Sequence, residues 1–130
     1  MTGCKPLRVL VCGSREWKDR DMISTTLWHV HNRMGGISLI IHGGCRGADM
    51  LAGDVADANG VPYQVYPAYW KHGKSAGPIR NAKMLAEGKP DLVLAFTHDL
   101  EASRGIKDMV TRARAAGVRV VVLPEEREKL

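Results

Sequence analysis

Aromatic side chains are scarce in this chain of 130 residues, which holds one Phe, three Trp and three Tyr. Platforms for single-stranded nucleic acid stack successive bases on several rings, and so small a set supplies few members for one. Long apolar runs are missing too. No stretch approaches the roughly 20 residues that a membrane-spanning helix needs. The opening residues, Met1-Thr2-Gly3-Cys4-Lys5-Pro6, have no apolar core of the signal-peptide kind. These two absences lead to the expectation of a cytoplasmic protein with no membrane partner. Cysteine is limited to Cys4, Cys12 and Cys45, an odd number without metal-ligand spacing. Reduced thiols are therefore expected, with neither a disulfide framework nor a metal site. The net charge of +5 comes without a long basic run. It suits an anionic partner but does not single out nucleic acid. Neither the dinucleotide fingerprint G-x-G-x-x-G nor the P-loop occurs, and there is no internal repeat.

What is present is regular alternation. Hydrophobic residues make up 45% of the chain, enough to give one domain of this length a real core. Leu7–Cys12, Ile37–Ile41, Val61–Tyr66, Asp91–Phe96 and Val118–Leu123 are short apolar or β-prone runs and predict five strands. Between them lie helical stretches. Asp19–Arg33 carries an apolar stripe of Ile23, Leu27, Val30 and Met34, and Gly35-Gly36 ends it. Met50–Ala58 closes at Asn59-Gly60, and Ile79–Ala86 follows Pro78, which fits a first helical turn. Ile106–Ala115 places Ile106, Met109, Val110 and Ala113 on one face. Pro67–Pro78 is too rich in Gly and Pro for a regular element, and the charged tail from Pro124 to Leu130 is expected to fray. Strands alternating with helices predict an α/β, Rossmann-like three-layer sandwich: about five parallel strands with helices on both faces. It forms one domain over residues 1–130, with its core in about 7–123.

In such sheets ligands sit beyond the carboxyl ends of the strands. Four connections leave those ends. The second, His42-Gly43-Gly44-Cys45-Arg46-Gly47-Ala48-Asp49, turns from a buried strand into a helix. Glycines let a phosphate approach the backbone, and the first helical turn offers unpaired N–H groups with partial positive charge. Arg46 adds a planar cation. The plain alternative is a tight connection whose glycines answer a steric need. Asp49 holds a sugar hydroxyl or positions Arg46, or else complements the helix dipole. On the first connection, Gly13 and Ser14 donate to an oxygen and Arg15 reaches the same anion, unless Ser14 merely caps a helix. Arg80 and Asn81 clamp ribose, phosphate or base, or Arg80 pairs with Glu87 or Asp91 at the surface. Tyr69 and Trp70 stack on a base or pin the long loop, and Lys74 adds charge to that loop. Ser103 and Gly105 complete the set on the fourth connection. His42 and His72 titrate near neutrality or serve as structural histidines, and Cys45 is a reactive thiol or a small buried one.

The segments Gly13-Ser14-Arg15, His42 to Asp49, Ala68-Tyr69-Trp70, Gly73 to Asn81 (with Gly-Pro-Ile-Arg-Asn at its end) and Ser103-Arg104-Gly105 resemble the YspA/YpsA-related branch of the SLOG superfamily. That superfamily is named for the Smf/DprA DNA-processing proteins and the LOG cytokinin-activating enzymes. The likeness spans roughly residues 7–123. It implies a Rossmann-like fold in a small bacterial or phage member, a nucleotide or ADP-ribose-like ligand with no required cofactor, and, with the apolar faces, a homodimer. It also implies two alternatives. One is a LOG-like nucleoside 5′-monophosphate phosphoribohydrolase, with Arg80 and Asp49 as catalytic residues. LOG enzymes pair their Arg with a Glu, and Met109 stands where that Glu would be, with Asp108 about 100° away around the helix. The other alternative is DprA-like single-stranded DNA binding.

Overall fold

The computed structural model describes residues 5–130, so Cys4 lies outside the described residues. Its centre is a five-stranded parallel sheet in the order β3-β2-β1-β4-β5. The strands are β1 (Leu7–Gly13), β2 (Ile37–His42), β3 (Tyr63–Val65), β4 (Leu92–Phe96) and β5 (Arg119–Leu123). The helices are α1 (Arg20–Arg33), α2 (Ala48–Ala58), α3 (Ala76–Gly88) and α4 (Arg104–Ala115). The chain runs outward from β1 to β3 and then crosses to β4 on the other side of β1. The Rossmann-like α/β architecture expected from the alternation is therefore present.

Period-two alternation sorts each strand onto two cores. Val9 and Val11 of β1 face one side, where Ile23, Leu27 and Val30 of α1 and Ala52 and Val55 of α2 cover them. Leu10 and Cys12 face the other, covered by Met84 of α3 and by Ile106, Met109, Val110 and Ala113 of α4. The α4 stripe read from the sequence buries whole, and so do Ile23, Leu27 and Val30 of the α1 stripe, while Met34, just past the helix end, is half-buried. Strand β3 is short and exposed at the edge, after Pro62.

Three differences come from capping and local contacts. Within the Pro67–Pro78 connection, Trp70–Ser75 forms a 3₁₀ segment, and α3 begins at Ala76 with Pro78 inside its first turn. Helix α4 begins at Arg104 because the Ser103 hydroxyl accepts the Ile106 N–H, so a polar stretch starts the helix. The tail, whose composition suggests fraying, is hydrogen-bonded back to β5. The Glu126 carboxylate accepts from the Val122 N–H at 2.8 Å and from Lys129 at 2.7 Å, and those bonds hold its pKa below the ordinary carboxylate value.

Register decides where the site lies. Gly13 pairs with Phe96, so β1 and β4 end level with each other. Their outgoing loops diverge at the point where the strand order reverses, and a crevice opens between them.

Candidate functional site

The loop after β1 is held by its own first residue. The Ser14 N–H donates to the Phe96 carbonyl at 2.9 Å, and the Ser14 carbonyl accepts from Trp17 and from Ala48 of α2. The Ser14 hydroxyl accepts the Glu16 N–H at 3.0 Å, which leaves its own proton for another acceptor. Gly13 is close-packed: a Cβ there would lie 2.5 Å from the Phe96 carbonyl oxygen and 2.6 Å from the Ala48 Cβ. Trp17 is buried, donates its indole N–H to the Asp19 carbonyl, and stacks on the exposed His98 ring at 4.9 Å.

The glycine loop after β2 folds inward. The Gly43 N–H donates to Asp49 Oδ2 at 3.0 Å, the Cys45 N–H to the same oxygen at 3.4 Å, and the Gly44 N–H to His42 Nδ1 at 3.0 Å. Gly47 has φ 83° and lies against the Ser14 and Arg15 backbone, where a side chain would collide. The Gly43 and Gly44 amides, which the sequence offers to a phosphate, have protein acceptors in this structure. The physical reason is Asp49, whose carboxylate turns back over the start of α2. Asp49 is only 4% exposed. Burial pushes its carboxyl up to about 6, against the Gly43 and Cys45 amides and the Arg80 and Arg15 guanidiniums, which pull it down. Its Oδ1 takes no hydrogen bond among the described residues, and Asp49 lines the cleft. His42 has its pKa lowered by burial, with Asp54 opposing. As the acceptor of the Gly44 amide, it fills the structural role.

Arg80 and Asn81 tie α3 to both neighbouring loops. Arg80 Nη1 donates to the Gly43 carbonyl at 2.9 Å and Nε to Asn81 Oδ1 at 2.9 Å. Asn81 Nδ2 donates to the Gly105 carbonyl at 3.2 Å and to Asp108 Oδ2 at 3.0 Å. Asp108 also pairs with Arg112 at 2.9 Å. The Asn81 amide is thereby engaged on both sides and orients Arg80, whereas Arg80 Nη2 has no acceptor among the described residues.

These elements enclose a cleft of about 750 Å³. Residues 13–19 form one wall, Thr97–Asp99 and Ala102–Ile106 the other, and Cys12, Cys45, Asp49, Arg80, Asn81 and Met84 the rest. The sequence-predicted Gly13, Ser14, Arg15, Asp49, Arg80, Asn81, Ser103 and Gly105 come together here. Gly43, Gly44, Arg46 and Trp70 line a second cavity beside it. Gly47 and the exposed Lys74 line neither cavity. Arg46 instead pairs with Glu16 at 2.7 Å, with both side chains 73% exposed. The alternative surface pairing of Arg80 with Glu87 or Asp91 is absent among the described ion pairs. Cys12 lines the cleft as a buried thiol whose pKa burial raises, as does nearby Asp49 while Arg80 opposes. No cluster of three or more His, Cys, Asp or Glu suited to a metal occurs among the described residues.

Sequence reasoning missed Trp17, Thr97, His98 and Asp99. Trp17 and His98 meet only through the β1–β4 register. The available signal was that both follow a strand end by a few residues.

The N–H groups of Arg104 and Gly105, in the first turn of α4, have no acceptor among the described residues. They stand at the cleft with the helix dipole behind them. Around Gly105 a Cβ would meet nothing within 4 Å. The cleft is thus bordered by amide donors, two serine hydroxyls and two guanidiniums.

The family model described as YspA, cpYpsA-related SLOG family matches residues 7–73. The Gene 61 protein of Mycobacterium phage D29 is 38% identical over 125 residues, which cover 88% of this chain and 94% of that protein. Among solved structures, DNA processing protein A (DprA) from Streptococcus pneumoniae matches with a TM-score of 0.48 and 17% identity. That match covers 91% of this chain, which spans 59% of the DprA chain.

Proposed function

Given that this chain belongs to the YspA, cpYpsA-related SLOG family, we propose that the cleft between β1 and β4 binds a nucleotide by its phosphate. The observation that carries this reading is the convergence of unengaged donors on one crevice. The Arg104 and Gly105 amides, the Ser14 and Ser103 hydroxyl protons and the Arg15 guanidinium all border it. A phosphate at a helix N-terminus gains both hydrogen bonds and the dipole. Arg80, held by Asn81 and Gly43, presents Nη2 toward ribose or phosphate oxygen. The exposed face of His98, backed by Trp17, is the flat surface for a base. The glycine loop acts indirectly in this account, by fixing Arg80 through the Gly43 carbonyl.

The test is a thermal-shift and calorimetric titration with AMP and ADP, repeated on Arg80→Ala. A ligand that binds only the native state raises the melting temperature by mass action. Stabilisation of the parent and not of the variant supports the reading. No stabilisation by either nucleotide overturns it.

A second reading, cleavage of the nucleotide's N-glycosidic bond, draws on Asp49. A cleft-lining carboxyl near neutral pKa beside a guanidinium suits general acid–base work. Release of free base from AMP, lost in Asp49→Asn, distinguishes turnover from binding alone.

A further inference from the structure

Beside the main cleft lies a second cavity of about 330 Å³ over the glycine loop. The two are not independent, because Arg15, Cys45 and Arg80 border both. The far side of the second cavity is formed by Pro67, Ala68 and Trp70. Trp70 is 58% exposed, and the Arg15 guanidinium sits 5.6 Å from its ring centroid. A large exposed indole on a loop loses favourable burial unless something covers it. Here it borders a concave surface, with the Arg15 cation over one side of the ring.

We propose that this second lobe is a subsite for the far half of a two-part ligand, so that the protein selects two nucleosides joined through a diphosphate over a mononucleotide. This rests on the nucleotide reading of the main cleft. The geometry gives each part a place. The first nucleoside occupies the main cleft by the His98 face. The diphosphate runs from the start of α4 to the shared waist, where Arg15 of the β1 loop and Arg80 of α3 supply positive charge. The second planar group lies in the smaller lobe against Trp70. A mononucleotide leaves that ring and the Arg46 side of the cavity uncovered. A ligand with a diphosphate but no second base reaches the waist and leaves the indole unstacked.

Isothermal titration of the full chain with AMP, ADP-ribose and NAD+ tests this, on the parent, Trp70→Ala and Trp70→Phe. The expected order of affinity in the parent is AMP weakest, ADP-ribose intermediate and NAD+ tightest. The last step is about tenfold, the size of one base–aromatic stack. In Trp70→Ala the NAD+ to ADP-ribose ratio collapses toward unity, and Trp70→Phe restores most of it. Equal affinity of ADP-ribose and NAD+ in the parent overturns the proposal and leaves the nucleotide reading standing, as does a ratio that survives in Trp70→Ala. Absence of binding by AMP and by both larger ligands overturns the nucleotide reading itself.

Discussion

Arg80 Nη1 lies 2.9 Å from the Gly43 carbonyl oxygen, and this contact locks helix α3 onto the loop that follows β2. It makes the glycine at position 43 a requirement of the arginine. A Cβ on residue 43 would occupy the guanidinium's place. The two residues are 37 positions apart, yet they work as one unit.

Gly43→Ala is therefore predicted to act on ligand binding through Arg80. The displaced atoms are the far end of a flexible side chain, so the melting temperature changes little. Nucleotide affinity falls about tenfold or more, the worth of one charge-assisted contact, and as much as in Arg80→Ala. The double variant is no worse than either single one, because the two changes remove the same interaction. Additive losses in calorimetric titrations contradict this coupling.

Asp49 gives the fold a pH dependence. Its pKa is about 6 in the folded chain against an ordinary 3.8, raised chiefly by burial. The folded state thus binds the proton more tightly than the unfolded state. Stability from this group is full at low pH and declines as pH rises through the folded value, by an amount on the order of 3 kcal/mol. Asp49→Asn has no such proton to lose. The melting temperature of the variant minus that of the parent is predicted to rise between about pH 4 and about pH 7. A flat or falling difference rules the explanation out.

Two glycines at the same cleft should separate packing from binding. In Gly13→Ala the new methyl meets the Phe96 carbonyl and the Ala48 side chain, both on rigid elements. Urea unfolding is predicted to show a loss of about 2 kcal/mol or more. In Gly105→Ala the methyl meets open space, and a first-turn alanine gains up to about 1 kcal/mol of helix propensity. That variant should be at least as stable as the parent while binding nucleotide several-fold more weakly. A Gly105→Ala protein with parental affinity counts against a ligand at the α4 terminus.

Asn81 is buried and uses its whole amide, accepting from Arg80 and donating to Gly105 and Asp108. Asn81→Asp would remove both donors and set a second carboxylate against Asp108. The predicted cost at about pH 7 is about 3 kcal/mol, partly recovered near pH 4 as the new carboxyl protonates. Urea unfolding at the two pH values reads this directly, and an equal loss at both excludes carboxylate repulsion as the cause.

The strands and the apolar helix faces were legible in the sequence because burial leaves a periodic trace. Val9 and Val11 alternate with Leu10 and Cys12, and Ile106, Met109, Val110 and Ala113 recur at helical spacing. The boundaries were less legible where a side chain sets them. The Ser103 hydroxyl starts α4 within a stretch that reads as polar loop, and Glu126 fastens a tail whose composition suggests fraying. At the site, residue types identified the right loops but not the direction of their groups. Nothing in the string His42 to Asp49 says that the Asp49 carboxylate turns back onto the Gly43 and Cys45 amides. Nor does it say that Trp17 and His98, 81 positions apart, stack across the β1–β4 junction. Such facts depend on rotamers and strand register, which periodicity does not encode.

The proposed function turns on a nucleotide phosphate at the start of α4, opposite the β1 loop. The most direct measurement is an amide chemical-shift titration of the full chain with AMP. Saturable shifts are expected to be largest at the Arg15, Arg104 and Gly105 N–H groups, with the Gly43 and Gly44 amides moving less because Asp49 and His42 already hold them. Shifts centred on Gly43 and Gly44 instead, or no saturable shift at Arg104 and Gly105, would contradict it.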